Sequence, residues 1–452
     1  MTIAKPFPQQ LANLDTARLR AYKSNLDFYG GTQWPSRRAN DKRRRLTLNY
    51  ARTVVEKTAA YVMAGRTIRV LPTDKTDPAG TAALAAEAIL QAASDANSLD
   101  RIDFDTEIDT AVLGDGAFKV AWLEGENRPI VTAPDVQGIF VWPIPHNLTD
   151  YYQVAHRYTL TAEQALAAFG VPVPKANATI VERWTASDRD IWVDTTLAAS
   201  DPNPYGFIPF VIFPNSPVPK QFWGISDIPP IREPAEELNR EISILSAIME
   251  LSGNPIAILA GVDRAEDVAV EPGALWTIPA EAKAYLLDLL SGGGVSLHIE
   301  YVNTIYRALH DLSETPRTTF GDTGRALSGV ALQMEVQPLL QKVSRKRLIR
   351  TAAYTRRAHA ILAITDKFTG SNHATAGRIA INWGDVTPQD LPSDVSSETA
   401  LWHAGLSAAT SAMSRLGVED PDAEWAKVLE QAAQLAAARP TAALTTTRNR
   451  VT

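Results

Sequence analysis

Two glycines in a short polar segment have the spacing of a phosphate-binding loop. They are Gly324 and Gly329, within the stretch TPRTTFGDTGRALSGVALQME. A nucleotide-binding loop of this kind needs a lysine and then a serine or threonine after the second glycine, because these side chains reach the phosphates and the magnesium ion. Here valine and alanine follow, and the preceding element is predicted to be a helix rather than a strand. The sequence therefore disfavours nucleotide chemistry, and an ordinary connection between helices, with Ser328 as N-cap, remains open.

A run of acidic residues raises the question of a metal site. Its members are Asp100, Asp103, Asp105, Glu107 and Asp109. On a helix, Asp103 and Glu107 share one face while Asp105 and Asp109 share another, so the carboxylates do not converge. No histidine or glycine-bearing metal loop accompanies the run. We therefore expect a solvated or arginine-paired face and no metal.

Other patterns that carry catalytic chemistry are missing from the sequence. There are no cysteines, which excludes disulfides, thiolate metal ligands and a cysteine nucleophile. The seven histidines form no HExxH motif, and no serine lies in a GxSxG context. Catalysis by a metal ion or by a cysteine or serine nucleophile therefore has little support in the sequence.

Composition and charge limit the remaining classes of protein. The chain has 452 residues, is 45% hydrophobic, which is enough for a large core, and carries a formal net charge of -7. A net negative charge opposes tight binding of duplex DNA by the whole surface, although local basic patches remain open. The N-terminus lacks a signal-like apolar segment, and no window reaches about 18 consecutive apolar residues. We expect a protein of the cytoplasm, or of a particle assembled there.

The elements that position these residues follow from periodicity. In the first half of the chain, helical spacing and then short aromatic and β-branched segments predict a mixed helix-and-sheet domain. A helix over Pro234–Gly253 is followed by a strand-like module, a second helix, the glycine-bearing loop and a long helix that Pro338 should kink. Two further helices end the chain, with Ser396 or Ser397 capping the first and Asp420 the second. We predict an α+β fold that is mostly helical.

The two helices before the long one are apolar on more than one side. Ile244, Ile248 and Leu251 lie outside the main apolar stripe of the first, and Tyr301 and Tyr306 outside that of the second. A helix that is apolar on more than one side is buried on more than one side. In a thin two-helix projection, we expect neighbouring subunits to supply that burial.

Several segments, in their order, make the chain resemble a known family. They are FYGGTQWPSRR with RRRLTLNYARTVVEKTAAYVMAG, WGISDIPPIREPAEELNREISILSAIMELSGNP, TPRTTFGDTGRALSGVALQMEVQPLLQKVSRKR, and GDVTPQDLPSDVSSETALWHAGLSAATSAMSRLGVEDPDAEWAKVLE. The chain resembles the portal proteins of tailed bacteriophages, the head-to-tail connectors, of the SPP1-type portal family. The resemblance covers residues 28–430 and rests on the order of the segments rather than on one diagnostic motif.

The resemblance implies a closed ring, typically a dodecamer, at a single capsid vertex. Each subunit would have a portal-type fold with a wing, a two-helix stem, a small α/β clip, a tunnel loop and a helical crown. On this chain the wing corresponds to residues 1–233 and 330–395, the stem helices to 234–253 and 296–313, the clip to 254–295, the tunnel loop to 314–329, and the crown and C-terminal tail to 396–452. Double-stranded DNA would be packaged and ejected through the central tunnel, without sequence specificity. The resemblance also implies that the chain itself is not an enzyme, with no catalytic residues, no metal and no cofactor.

Under this resemblance three sets of residues become candidate sites. The DNA-facing tunnel loop comprises Arg317, Thr318, Thr319, Phe320, Asp322, Thr323 and Arg325. The clip would dock the terminase, and later an adaptor, through Asp263, Arg264, Glu266, Asp267 and Glu271. A basic patch is either a solvated surface that pairs with acids of the next subunit, or a contact with DNA, scaffold or capsid protein; it comprises Arg37, Arg38, Lys42, Arg43, Arg44 and Arg45.

A second basic set lies on the long helix. Lys346, Arg350 and Arg357 have the spacing of a stripe along one face. For this stripe we predict salt bridges to a neighbouring subunit.

The partners that the resemblance implies are those of a phage head component. They are further copies of the chain, double-stranded DNA, the terminase large subunit, the major capsid and scaffold proteins and the head-tail adaptor, with no membrane. The implied location is the virion. Two alternatives remain: a nucleotide- or phosphate-binding enzyme that uses Gly324 and Gly329, and another ring-forming phage structural or scaffold protein.

Overall fold

Helices and strands alternate along the first part of the chain and helices alone end it. The computed structural model describes residues 6–35, 45–72, 80–253, 257–260, 283–286, 294–321, 329–384, 386, 391–418 and 421–438. Of the described residues 55% are helical and 22% lie in strands, which confirms a mixed α+β fold. The chain forms two compact units, residues 1–386 and 387–452.

The helices of the first unit vary widely in length, from a single turn to the long helix that contains Pro338. In the described ranges they are α1 (Phe7–Gln10), α2 (Thr16–Tyr29), α3 (Tyr50–Met63), α4 (Thr81–Asn97), α5 (Leu99–Leu113), α6 (Ala162–Phe169), α7 (Pro229–Gly253), α8 (Gly294–Ser313) and α9 (Gly329–Thr369). Local capping explains several starts: Asn49 accepts a hydrogen bond from the Arg52 N–H, and Thr161 and Gln164 form a capping box.

Within the described residues the strands form four antiparallel sheets. In chain order they are β1 (Thr67–Pro72), β2 (Asp115–Leu123), β3 (Arg128–Thr132), β4 (Ile139–Ile144), β5 (Asn147–Thr161), β6 (Asn177–Trp184), β7 (Asp188–Val193), β8 (Thr196–Pro202), β9 (Phe210–Pro214), β10 (Ala257–Ala260), β11 (Lys283–Leu286) and β12 (Gly377–Asn382). The sheet orders are β1-β12, β10-β11, β3-β2-β9 and β4-β5-β6-β7-β8. The aromatic and β-branched segments that predicted strands all lie in β2, β4, β5, β6, β7 or β9, because such side chains pack well on a pleated surface.

The β1-β12 pair joins two parts of the first unit that are distant in sequence. Thr67 pairs with Asn382, and Pro72 pairs with Gly377. The approach is close at Gly65, whose φ is 64° and where a Cβ would lie 2.7 Å from the Gly384 Cα. A side chain there would collide with backbone, so glycine is required.

Two apolar clusters organise the first unit around α9 and α7. One packs α4, the β3-β2-β9 sheet and the middle of α9, with Phe118 and Tyr354 almost fully buried. The other packs α3 and α5 against α7 and α8, with Val55, Leu238 and Leu309 at its centre. The middle of α9 therefore lies in one cluster, while the start of α7 and the C-terminal half of α8 lie in the other.

The hairpin of α7 and α8 differs from the sequence prediction at the start of each helix, by two residues in α8, which begins at Gly294 rather than at residue 296, and by more in α7. Helix α7 starts at Pro229 rather than at Pro234, which therefore lies inside it. Pro229 and Pro230 occupy the first helical positions, where the missing N–H groups have no intrahelical partner in any case. The prediction chose the wrong proline, because either can begin a helix, and burial of Ile231 and Ala235 extends it backwards.

The second unit contains α10 (Leu391–His403), α11 (Ala409–Arg415) and α12 (Pro421–Ala438) in its described ranges. The proposed caps Ser396 and Ser397 are wrong, because α10 begins before them, and Asp420 lies outside the described residues. The segment read as one helix is two, since Gly405 takes a φ of 70° and the Leu406 N–H donates to the Leu401 carbonyl. Such a left-handed glycine ends a helix.

Candidate functional site

The first half of the glycine-bearing loop is a compact turn after α8. Glu314 follows the last helical residue with a φ of 53°, and Thr315 is fully buried. A short 3-10 helix spans Arg317–Phe320 and ends at Gly321, whose φ is 85°. Of the proposed loop residues, Asp322, Thr323 and Arg325 lie outside the described part of the chain.

Hydrogen bonds close this turn onto the end of α8. The Thr315 N–H donates to the His310 carbonyl at 3.1 Å, and His310 Nδ1 lies 2.6 Å from the Thr315 carbonyl oxygen. The Ser313 hydroxyl also donates to the His310 carbonyl, and the Thr319 hydroxyl donates to the Pro316 carbonyl at 2.6 Å. The base of the loop thus has a defined shape that local bonds maintain.

Aromatic rings on α8 pack against the 3-10 helix. The rings of Phe320 and His310 are 5.1 Å apart, and His310 also meets Tyr306 edge-on at 4.5 Å. The Arg317 guanidinium lies 4.8 Å from the centre of the Tyr306 ring, a cation–π contact. Residues 317–320 are all half-buried. Arg317 and Phe320 therefore help to seat the loop on α8, a role that the sequence did not suggest.

Two basic residues of α9 reach the same turn. The Lys342 ammonium donates to the Ser313 carbonyl at 3.0 Å, which places a cation at the C-terminus of α8, where the helix dipole favours it. The Arg345 guanidinium binds both carboxylate oxygens of Glu314, at 2.5 and 2.7 Å. The turn is thus held by α9 as well as by α8.

Asp227 lies at the centre of a buried charge cluster next to Lys342. Its carboxylate is 2.9 Å from Lys346 and 3.6 Å from Lys342, and it accepts a hydrogen bond from the Asn215 amide at 3.0 Å. Burial alone would raise the pKa of Asp227, but the two ammonium groups lower it far below its usual value. For Lys346 burial has the opposite effect and lowers the pKa of the ammonium group, although the negative charge of Asp227 opposes that shift.

The cluster continues along α9 as a stripe of ion pairs with α5. Arg350 donates to both carboxylate oxygens of Glu107, at 2.7 and 2.9 Å, and these two side chains are at most 1% exposed. Arg357 pairs with Asp103, which also binds Arg66. Burial would raise the pKa of Asp103, but the two guanidinium groups lower it.

The ion pairs of α9 show that the prediction of salt bridges to a neighbouring subunit is wrong. They also decide whether the acidic run is solvated or paired with arginine. Lys346, Arg350 and Arg357 do lie on one face, but they pair with acids of the same chain rather than with a neighbouring subunit. The acidic run is not solvated on the face of Asp103 and Glu107, which is the arginine-paired one. Sequence reasoning missed Asp227 and Lys342; the spacing of Lys342 four residues before Lys346 was a usable signal.

The other candidate residues lie mostly outside the described ranges. In the basic patch only Arg45 is described; it donates to the Pro35 carbonyl at 2.8 Å and lies 5.3 Å from the Trp34 ring. The five docking residues of the clip, Asp263, Arg264, Glu266, Asp267 and Glu271, are outside those ranges, although β10 and β11 nearby form an antiparallel pair. Both assignments stay predictions.

The described ranges contain neither a cluster of metal-binding side chains nor a helix that could span a membrane. Over those residues no group of three or more His, Cys, Asp or Glu side chains could hold a metal ion. In the same part of the chain no helix is long and apolar enough to cross a membrane. The element before Gly324 is a 3-10 helix that follows α8, so the strand that a nucleotide-binding loop requires is not there.

Comparison with known families gives one match. The family model described as phage portal protein, SPP1 Gp6-like, matches residues 177–437, more than half of the chain. The matched range contains α7, β10, β11, α8, the loop and α9, and it excludes the N-terminal segment Phe28–Gly65 that also entered the resemblance. No curated protein matches the chain.

Proposed function

Since the chain belongs to the SPP1 Gp6-like family of phage portal proteins, we propose that it forms a ring at one vertex of the capsid. Double-stranded DNA is packaged and later ejected through the central tunnel of that ring. Proteins of this family are structural rather than enzymatic and are components of the phage virion. The observation that carries the proposal is the family match over residues 177–437.

The connection between α8 and α9 supplies the surface that meets DNA. Thr318 and Thr319 lie in the turn, and Asp322, Thr323 and Arg325 follow them in sequence. Short polar side chains touch a phosphate backbone without the strong counterion release that several basic residues would give. The turn itself is fixed to α8 and α9 by the bonds of Thr315 and Glu314, which supports a loop presented in a defined direction.

Net charge supports passage rather than tight binding. Twelve copies, each with a net charge of -7, carry twelve times that value, or -84. A ring with so much negative charge repels DNA over most of its surface and lowers non-specific adhesion. Weak repeated contacts at the loop then suffice to guide the duplex.

The segment between α7 and α8 is the docking platform in this proposal. Residues 254–294 contain Asp263, Glu266, Asp267, Glu271, Glu281 and Asp288 against Arg264 and Lys283. An acidic surface steers a basic partner towards it. The terminase large subunit docks there during packaging, and the head-tail adaptor takes its place afterwards. The basic stretch Arg37–Arg45 then serves contacts with the next subunit, with DNA or with scaffold and capsid protein.

Electron microscopy of the purified protein tests the ring directly. We expect closed rings, predominantly of twelve subunits, each with a central hole. A protein that stays monomeric at high concentration would contradict the proposal. Packaging assays with a loop deletion over residues 319–325 separate the two roles of the chain, because rings should persist while DNA packaging or retention falls.

Strong duplex binding by the intact ring would contradict the weak-contact idea. A salt titration measures this, since a surface that neutralises many phosphates loses affinity steeply with salt. We expect weak binding at physiological salt and no dependence on sequence.

A further inference from the structure

The chain leaves α8 through a backbone conformation that needs support. Glu314 has a φ of 53°, in the left-handed region that a glutamate seldom adopts. Thr315, the next residue, is fully buried, so the chain turns inwards before the 3-10 helix begins. A conformation of this kind persists only where surrounding contacts hold it.

Close packing supports the turn through the buried Thr315 and the contact between the Phe320 and His310 rings, but open clefts lie beside Glu314. One cleft of about 560 Å³ is lined by Ser313, Glu314, Lys342 and Arg345 among others. Another, of about 380 Å³, lies by Glu314, Thr315 and Arg317 and extends to Pro338 of α9. Where these clefts leave the side chain of Glu314 without close packing, polar contacts add the remaining support.

The polar contacts across the larger cleft come from two cations of α9. Lys342 donates to the Ser313 carbonyl at 3.0 Å, and the Nη2 nitrogen of Arg345 donates to both carboxylate oxygens of Glu314, at 2.5 and 2.7 Å. Hydrogen bonds between charged groups are stronger than those between neutral groups. Each cation thus holds one of the two residues between which the chain changes direction.

Lys342 is itself held by the interior of the first unit. Its ammonium lies 3.6 Å from Asp227, which also pairs with Lys346 at 2.9 Å. Arg350, four residues after Lys346 on α9, forms a buried ion pair with Glu107. The cation that holds Ser313 therefore has its own place set by buried groups of the core.

We infer that Lys342 and Arg345 are positioning residues for the tunnel loop. They fix the direction in which the chain leaves α8, and they connect this turn to the buried charged groups along α9. The link to DNA passage rests on the proposed function. The positioning itself is a property of the fold and can be measured without DNA.

Hydrogen exchange of the backbone amides in the full-length protein tests the inference. We expect Lys342→Met to speed exchange over residues 314–321 by about tenfold, the size expected for a lost charge-assisted hydrogen bond. Because the Arg345–Glu314 pair is more exposed, Arg345→Met should speed the same exchange by a smaller factor, about two- to fivefold. Lys342→Met leaves Asp227 paired with Lys346, and Arg345→Met removes an exposed pair, so both variants should fold. Exchange in α4 should not change.

Matched controls make the outcome decisive. Lys367→Met removes an exposed lysine near the end of the same helix and should leave residues 314–321 unchanged. The double exchange of Glu314→Arg with Arg345→Glu should restore slow exchange, because the pair is re-formed with reversed charges. Wild-type exchange rates in both single variants would overturn the inference, and so would a double exchange as fast as Arg345→Met alone.

DNA packaging by the same variants separates this inference from the proposed function. Faster exchange together with poorer packaging supports both. Faster exchange in the variants of a protein whose wild type passes no DNA would refute the proposed function and leave the positioning role intact. Impaired packaging with unchanged exchange would refute the positioning role.

Discussion

The α5–α9 contact and the α7–α8 hairpin both depend on charged helices, yet they use charge differently. Between α5 and α9, the side chains of Asp103 and Arg357 are at most 1% exposed. In the hairpin, Arg240 and Glu237 pair with side chains that are 56% and 29% exposed. The hairpin also exposes large apolar residues, including Met249 at 55% and Leu297 at 69%.

The difference in exposure indicates which surfaces are buried by contacts within one chain and which are left exposed. Buried ion pairs specify one arrangement of α5 against α9, because an unpaired charge there would be strongly penalised. The hairpin is packed where α7 meets α8 and, at its base, against α3 and α5. Its outer apolar residues have the character of a surface that protein contacts cover, which agrees with the proposed ring.

The largest expected effect comes from breaking a buried pair on α9. Arg357→Met leaves Asp103, which is fully buried, with Arg66 alone, and should lower the free energy of unfolding by about 3–5 kcal/mol. Arg356→Met is the matched control, because the neighbouring arginine makes an exposed pair with Asp150 and should change stability by less than about 1 kcal/mol. Urea unfolding followed by circular dichroism measures both. Equal losses would contradict the comparison.

Acid should weaken the first unit through His156. Burial lowers the pKa of His156 to about 4, with Lys119 adding to the shift, whereas the unfolded value is 6.5. Between these values the unfolded chain binds the proton and the folded chain does not, so stability falls as pH decreases through that window. The loss is at most about 3 kcal/mol.

Unfolding midpoints measured at intervals from pH 7 to pH 4 test this, with His156→Gln as the comparison. The difference between the two proteins should shrink or change sign as pH falls, since only the wild type loses this contribution. A difference that stays constant over the whole window would show that His156 titrates normally.

A smaller effect should follow from removing the apolar outer side of the hairpin. Leu297, Tyr301 and Leu312 lie on one face of α8 and are 46–69% exposed. Leu297→Ser with Leu312→Ser should lower the fraction of rings at a given concentration, with about 1–2 kcal/mol per side chain lost at each contact. Tyr301 is left in place, because its hydroxyl donates to Glu237 of α7. The fold of the subunit should not change.

Leu197→Ser provides the control, because Leu197 on β8 is 52% exposed and belongs to a different surface. Mass photometry counts rings and monomers for each variant. If the hairpin variant assembles like wild type, its apolar side faces solvent and the comparison fails at that point.

The smallest expected effect concerns the exposed ion pair of the hairpin. Arg240→Gln removes the contact with Glu237 that lies three residues earlier on α7. Such pairs on helix surfaces contribute about 0.3–0.5 kcal/mol, and salt screens them. The change in unfolding midpoint should therefore be close to the error of measurement. A loss as large as that of Arg357→Met would remove the distinction between the two regions.

Local spacing carried much of the fold but left boundaries open. Helical periodicity placed α7, α8 and α9, and β-branched segments placed β5 and β6, because both signals depend only on neighbouring residues. Pro229 and Pro234 offered equivalent starts for α7, and burial decided between them. Gly405 divided a predicted helix, since a glycine within a helical pattern does not announce whether it will take a positive φ.

The candidate site divides in the same way. The sequence alone disfavoured a nucleotide loop, since the lysine after Gly329 is missing, and it predicted that the loop connects two helices. It also gave the faces on which Asp103 with Glu107, and Lys346 with Arg350 and Arg357, must lie, because the helical repeat is a local property. Only the tertiary structure decided that these two faces meet and that Lys342 reaches Ser313, since pairing between distant segments depends on how whole helices pack.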